Sequence, residues 1–283
     1  MSAGSLAKFV ILTRGRTGST AIIDEIDRHH NIFCCQELFI NLRAAPDLYS
    51  LYKKHGVSFE EYGFHDKWFP IFALWSKQFK KSGLLSKLPF LKKVYNPTIV
   101  RSVNRYLDEI ENYGVSLGYG VVGFKLLEHQ VAEIPGFMAL LKRRGYKVIY
   151  LERKNVVRQV LSGVIANKRK KFNVKNYVSD GQLYELDLNN FKKLMKGELR
   201  EIQSQKRLIG RHGFDSLSIN YEDFLNKRPA FFKRLFEFLG VENVLPEQSD
   251  FSIMIPSVKD VVKNYDEFYA CLEDMGMSEY IES

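Results

Sequence analysis

Short apolar runs rich in β-branched and aromatic residues recur at Phe9 to Thr13, Val121 to Leu126, Lys147 to Leu151 and Leu217 to Asn220. Runs of this length without polar alternation predict strands buried on both faces, as in a parallel sheet. Between them the period changes. In NVVRQVLSGVIANKRKKF the residues Val156, Val157, Val160, Leu161, Val164 and Ile165 share one helical stripe and leave Asn155, Arg158 and Ser162 on the other face. PGFMALLKRRG predicts another helix, opened by Pro135 and closed by Gly145, and AIIDEIDRHH an amphipathic one after the first strand. Strand, loop and helix in repeated succession predict an α/β fold, a P-loop-like parallel sheet flanked by helices, with ligands at the carboxyl ends of the strands. The stretch from Arg43 to Leu117 differs, being rich in aromatics and lysines and interrupted by Pro70, Pro89 and Pro97. It is expected to be a helical insertion (43–117) in a single domain spanning 1–283, with 256–283 as a C-terminal tail.

Composition narrows the class only a little. A chain of 283 residues with 45% hydrophobic content is long enough to bury a full core. No window approaches 18 consecutive apolar residues and Met1 to Ala7 lacks the pattern of a signal peptide, so the expected compartment is the cytoplasm. Cys34, Cys35 and Cys271 are too few for a disulfide framework and lack zinc spacing, so no metal is expected. A net charge of +9 favours an anionic ligand, but fits a nucleotide, a nucleic acid or a membrane surface equally well.

The candidate chemistry begins at FVILTRGRTGST. A strand that turns through glycine into a helix aims backbone N–H groups and the positive end of the helix dipole at one point, which is an anion site. Gly15 and Gly18 allow the turn; Thr17, Ser19 and Thr20 add hydroxyls; Arg14 and Arg16 add charge, Arg16 as a fork suited to oxyanions. The triphosphatase pattern GxxxxGK[ST] is not met. Downstream, Arg153 follows the strand YKVIYLE, and Ser162 lies nine residues later on the polar helix face, within reach of one shared phosphate.

Together these residues resemble the sulfotransferases that use 3′-phosphoadenosine 5′-phosphosulfate (PAPS). TRGRTGST is similar to their 5′-phosphosulfate loop, with Arg16 in the basic position and Gly15 where many members have proline. Arg153 and Ser162 match their 3′-phosphate site, and RKNVVRQVLS is closest to the bacterial enzymes acting on trehalose, Nod factors and related glycans. CCQELF, with Gln36 and Glu37, resembles the Gln-Glu pair of that group, VVGFKLL with Lys125 a shared strand, and SINYEDFLNKRPAFFKRLFEFLGVE the family's YEDL segment and following helix. The resemblance covers Lys8 to Phe39, Gly120 to Ala166 and Ser216 to Glu242. It implies a sulfuryl transfer from PAPS, leaving adenosine 3′,5′-bisphosphate, to a hydroxyl of a carbohydrate or glycolipid. It implies Glu37 as the base, Arg16 at the leaving oxygen, and Tyr221 near the adenine.

Other readings stay beside it. Glu37 also reads as a first-turn carboxylate of a helix QELFINLRAA, with His65 and His129 as reserve bases. Lys168 to Lys171 reads as a solvated helix terminus or as a patch steering anions, and Lys259 as a tail residue closing over a phosphate. A P-loop kinase using ATP is the alternative enzyme, disfavoured by the loop's arginine and the lack of a magnesium-holding aspartate at a strand end. A basic nucleic-acid-binding module is a further alternative, disfavoured because two separate phosphate loops do not suit a polynucleotide, so no nucleic-acid partner is expected. A lipid acceptor would bring peripheral membrane contact.

Overall fold

The computed structural model describes residues 6–39, 97–131, 134, 136–179 and 181–281. His65 and most of the expected insertion lie outside them. Five strands form one sheet: β1 (Ala7–Thr13), β2 (Ile32–Glu37), β3 (Val121–Leu127), β4 (Lys147–Glu152) and β5 (Ser216–Asn220). The order is β2-β3-β1-β4-β5 and every pairing is parallel. The four predicted strands are present within two residues of their expected ends. β2 is a fifth that periodicity missed, because only Ile32 to Cys35 are apolar before the polar pair Gln36 and Glu37.

Helices cover both faces. On one side, α2 (Pro97–Ser116) and α4 (Phe137–Arg143) cover Val10, Leu12, Val122, Phe124 and Leu126. On the other, α1 (Ser19–Asp27), α7 (Tyr221–Asn226) and α8 (Arg228–Leu239) cover Phe9, Ile11, Ile149 and Leu151. A third core joins α5 (Val156–Arg169), α6 (Leu188–His212) and α9 (Tyr265–Asp274) through Leu161, Phe191, Met195, Val261 and Phe268. The short α3 (Glu128–Val131) follows β3 directly. The helix expected from Pro135 starts at Phe137, with Gly136 as its N-cap, and Gly145 sits just past its end at positive φ. The tail beyond Pro256 is tied to α5: Asn155 donates to the Tyr280 carbonyl at 2.6 Å.

Sheet packing is tightest where β1 meets β3. Phe9 and Gly123 are cross-strand partners, and a Cβ on Gly123 would come within 2.3 Å of the Phe9 ring. Gly123→Ala is therefore expected to destabilise the fold by about 1–3 kcal/mol through overpacking. Gly197, inside α6, has nothing within 4 Å of an added Cβ, so Gly197→Ala should stabilise by about 0.5–1 kcal/mol. Urea denaturation of the two variants checks both signs; equal shifts would contradict this packing.

Candidate active site

The loop after β1 is held from below before it can hold anything above. Thr13 donates its hydroxyl to the Leu151 carbonyl at 2.8 Å and meets the Thr17 hydroxyl at 2.7 Å. Arg14 points away from the sheet end to a two-point ion pair with Glu198 of α6, both contacts at 3.0 Å. Gln159 of α5 donates to both the Gly15 carbonyl and Glu198, each at 2.9 Å, and Gln205 to the Thr13 carbonyl at 3.4 Å. Arg14 and Thr17 thus serve the loop's own conformation, and their side chains are not among those that wall the cavity above it. Glu198, Gln159 and Gln205 carry no motif and were invisible in the sequence.

Above the loop lies a cavity of about 600 Å³, walled by Gly15, Arg16, Gly18, Ser19 and Thr20 and, farther round, by Arg153, Ser162, Tyr221, Glu37 and Lys125. Gly18 is the N-cap of α1 at φ 73°, with no side-chain cap and no acidic residue in the first turn. The leading N–H groups of α1 and its positive dipole end face the cavity with no carboxylate of their own turn to answer them. Glycine is required at position 18 twice over, by its φ and because a Cβ there would lie 2.1 Å from the Tyr221 ring.

Four predicted residues, Arg16, Arg153, Ser162 and Tyr221, converge at that loop. Arg16, itself at φ 65°, donates Nε to Ser162 Oγ at 3.1 Å and Nη1 to the Phe172 carbonyl. Arg153 donates to the Arg16 carbonyl at 3.3 Å and lies over the Tyr221 ring at 4.9 Å. Its Nε is buried with no hydrogen-bond partner among the described residues. Burial pushes the Arg153 guanidinium below its usual pKa, and does the same to Arg158, a cavity residue whose Nη2 donates to the Ile255 carbonyl at 2.7 Å. Neither arginine has a carboxylate within ion-pair distance among the described residues. The loop that carries Arg153 is fixed by Glu222, which accepts the amides of Lys154 and Asn155 at 3.1 Å each.

At the far wall stands Glu37. It is the last residue of β2, not the first turn of a helix, which overturns that alternative. The pairing of β2 with β3 slips by one between Cys35 and Glu37, so Gln36 is bulged out and Glu37 comes opposite Lys125. Lys125 Nζ meets Glu37 Oε1 at 2.7 Å with both side chains only 6% exposed, and Gln130 donates to Oε2 at 2.6 Å. His129 lines the same cavity, and burial lowers its pKa, favouring the neutral imidazole. Lys259 is exposed, stacks at 5.1 Å on Tyr265 and is not part of the cavity wall. Among the described residues no group of three or more His, Cys, Asp or Glu side chains is arranged to hold a metal ion.

No family model and no curated protein matches the chain. Among solved structures it is similar to a sulfotransferase from Alicyclobacillus acidocaldarius, at 14% identity over 99% of this chain and 96% of that one, with a TM-score of 0.44. A sulfotransferase from Mycobacterium avium matches at 13% identity over 96% and 76% of the two chains, TM-score 0.44. The sulfotransferase domain of the Synechococcus olefin synthase matches at 14% identity over 86% and 76%, TM-score 0.40.

The Glu37–Lys125 pair yields a direct test. Lys125→Met leaves a buried carboxylate without its cation and should cost about 3 kcal/mol, whereas adding Glu37→Gln to it should recover much of that loss. A double-mutant cycle by chemical denaturation measures the coupling; additive losses would mean that the two groups are not paired.

Proposed function

We propose that the chain is a PAPS-dependent sulfotransferase acting on a hydroxyl of a carbohydrate or glycolipid acceptor. The observation that carries this reading is Arg153, a mostly buried cation met by the Arg16 carbonyl of the glycine loop and the Tyr221 ring, in one cavity with Ser162. Holding an unanswered charge there is costly unless an anion comes to meet it. The residues fit a nucleotide with two anionic ends. Gly15 to Thr20 and the start of α1 would hold the 5′ end, Arg153 and Ser162 the 3′-phosphate, and Tyr221 would flank the base.

When bound, PAPS supplies an activated sulfuryl group on the 5′-phosphate. Arg16 and the loop amides then stabilise charge gathering on the leaving oxygen, in the manner of phosphoryl transfer. Glu37 takes the proton of the acceptor hydroxyl as the new S–O bond forms. Lys125 and Gln130 fix the orientation of the carboxylate that receives this proton. The leaving product is adenosine 3′,5′-bisphosphate.

Melting experiments and labelled-sulfate transfer test this. Adenosine 3′,5′-bisphosphate at a hundredfold excess over its Kd should stabilise the protein by about 2.7 kcal/mol, with far smaller effects from AMP and ATP. Equal shifts from all three would reject the reading, and a dominant shift from ATP with magnesium would favour a kinase. Arg153→Ala should raise the KM for PAPS with a smaller change in kcat. Glu37→Gln should lower turnover by about 10² to 10⁴ fold while nucleotide binding persists; near-normal turnover would transfer the role of base to His129.

A further inference from the structure

The outer side of the cavity is closed by a ribbon of two antiparallel segments, 172–177 and 249–255. A bridge between Lys175 and Phe251 joins them, with Ser252 N to the Val174 carbonyl and Asn176 N to the Asp250 carbonyl, each at 3.1 Å. The inner surface of the ribbon belongs to the cavity. Its exposed residues and the cavity rim beside them combine two features, positive charge and apolar exposure.

The first is charge. Residues 168–179 carry five cations and no acid. Arg169 is turned inward, donating to the Met254 carbonyl at 3.1 Å and lying against the rings of Tyr177 and Tyr184, so it anchors the ribbon to α5. Lys168, Lys170, Lys171 and Lys175 are exposed, with no ion pair to a carboxylate among the described residues. Attraction to the helix C-terminus accounts for Lys168, but Lys170 is already the left-handed cap and Lys171 and Lys175 lie beyond the helix. Asp250 is the one acid on the opposing segment.

The second is apolar exposure. At the end of the first segment Val178 is 84% exposed, and Ile253, at the cavity rim, 49%; Leu225 of α7, on the same rim, is 45% exposed. Val178 follows Tyr177, whose amide donates to the hydroxyl of Ser252, the neighbour of Ile253. Lysines alone would suit any polyanion. Exposed valine, isoleucine and leucine gain nothing from a soluble polyanion, but they gain by entering the headgroup region of a bilayer while lysines meet anionic lipid. No described helix is long and apolar enough to cross a membrane, so the contact would be peripheral.

We propose that this ribbon docks the protein on an anionic lipid surface, so that the cavity opens where a lipid or lipid-linked hydroxyl is presented. The docking stands on the ribbon alone; the nature of the acceptor rests on the transferase reading. Each exposed lysine is expected to add about fivefold to the partition onto such a surface, screened by salt.

Cosedimentation of the full chain separates the outcomes, using phosphatidylcholine vesicles with and without about 30% phosphatidylserine. The wild type should bind only the anionic vesicles and release at high salt. Lys171→Glu with Lys175→Glu should weaken binding at least about tenfold, and Val178→Ser should weaken it without changing the net charge of the patch. The melting shift with adenosine 3′,5′-bisphosphate should stay at the wild-type value in both variants, showing an intact fold and a separate nucleotide site. Failure of the anionic vesicles to bind the wild type overturns the proposal, as does undiminished binding by Val178→Ser. Retention by a sulfated polysaccharide without vesicle binding would overturn it in favour of a soluble polyanion. A wild type that binds vesicles but shows no nucleotide shift would instead remove the transferase reading and leave the docking surface in place.

Discussion

The register of β1 between its two neighbours is the constraint from which the site follows. Thr13 is paired with Leu127 of β3 and Leu151 of β4, and Glu152 of β4 with Asn220 of β5. Four strands therefore end nearly level, and the chain leaves the sheet side by side at Arg14, Glu128, Arg153 and Tyr221. A shift by one residue in β1 would swap its two apolar faces, Phe9 and Ile11 against Val10 and Leu12, and move the loop with them, so the fit of each face to its own helices fixes the height of the site. Phe9 against Gly123 makes such a slip more costly still, because no other β3 residue leaves room for that ring.

Level strand ends alone do not concentrate positive charge. That concentration arises because the acidic side chains nearby are already committed. Glu198 is occupied by Arg14, Glu25 by Arg228 at 2.8 Å and by the amide of Ser249, and Glu222 by two backbone amides. Arg153 and Arg158 keep carbonyls and an aromatic ring as partners, while the first turn of α1 contributes its dipole without opposition. Glu25 links the two sides of the cavity: by accepting from Ser249 it holds one end of the outer ribbon, so the anion site and its cover share a buried anchor.

The sequence was legible where physics is local. Short β-branched runs, the stripe of α5 and the glycine turn at Gly18 each follow from propensity or φ, and they are found as predicted. The 25-residue helix α6 was not among the expected elements although its period is present, because Leu188, Phe191, Met195, Leu199 and Ile202 recur at helical spacing only thinly among its many charges. The support of the loop by Glu198, Gln159 and Gln205 was illegible for another reason. These contacts join residues 39 to 192 positions apart, and nothing in a glutamine's neighbours says which carbonyl it will meet. Arg14 illustrates the limit. In sequence it is one of two equivalent loop arginines, and only the position of α6 decides that it supports the loop while Arg16 faces the cavity.

The bulge in β2 shows how a single residue changes the chemistry available. In an unbroken ladder continuing from Cys35 opposite Phe124, Gln36 would stand opposite Lys125, and a neutral amide would face the cation. With Gln36 displaced, its amide instead donates to the Thr20 carbonyl at 3.2 Å, tying β2 to the first turn of α1. Glu37 moves into the vacated register, where Lys125 compensates its charge and Gln130 occupies one side of its second oxygen. A carboxylate this buried is tolerated only with such partners, and those same partners fix its direction. Position 36 thus couples the geometry of the proton acceptor to the helix that presents the anion site, so the two ends of the cavity are set by one irregularity in one strand.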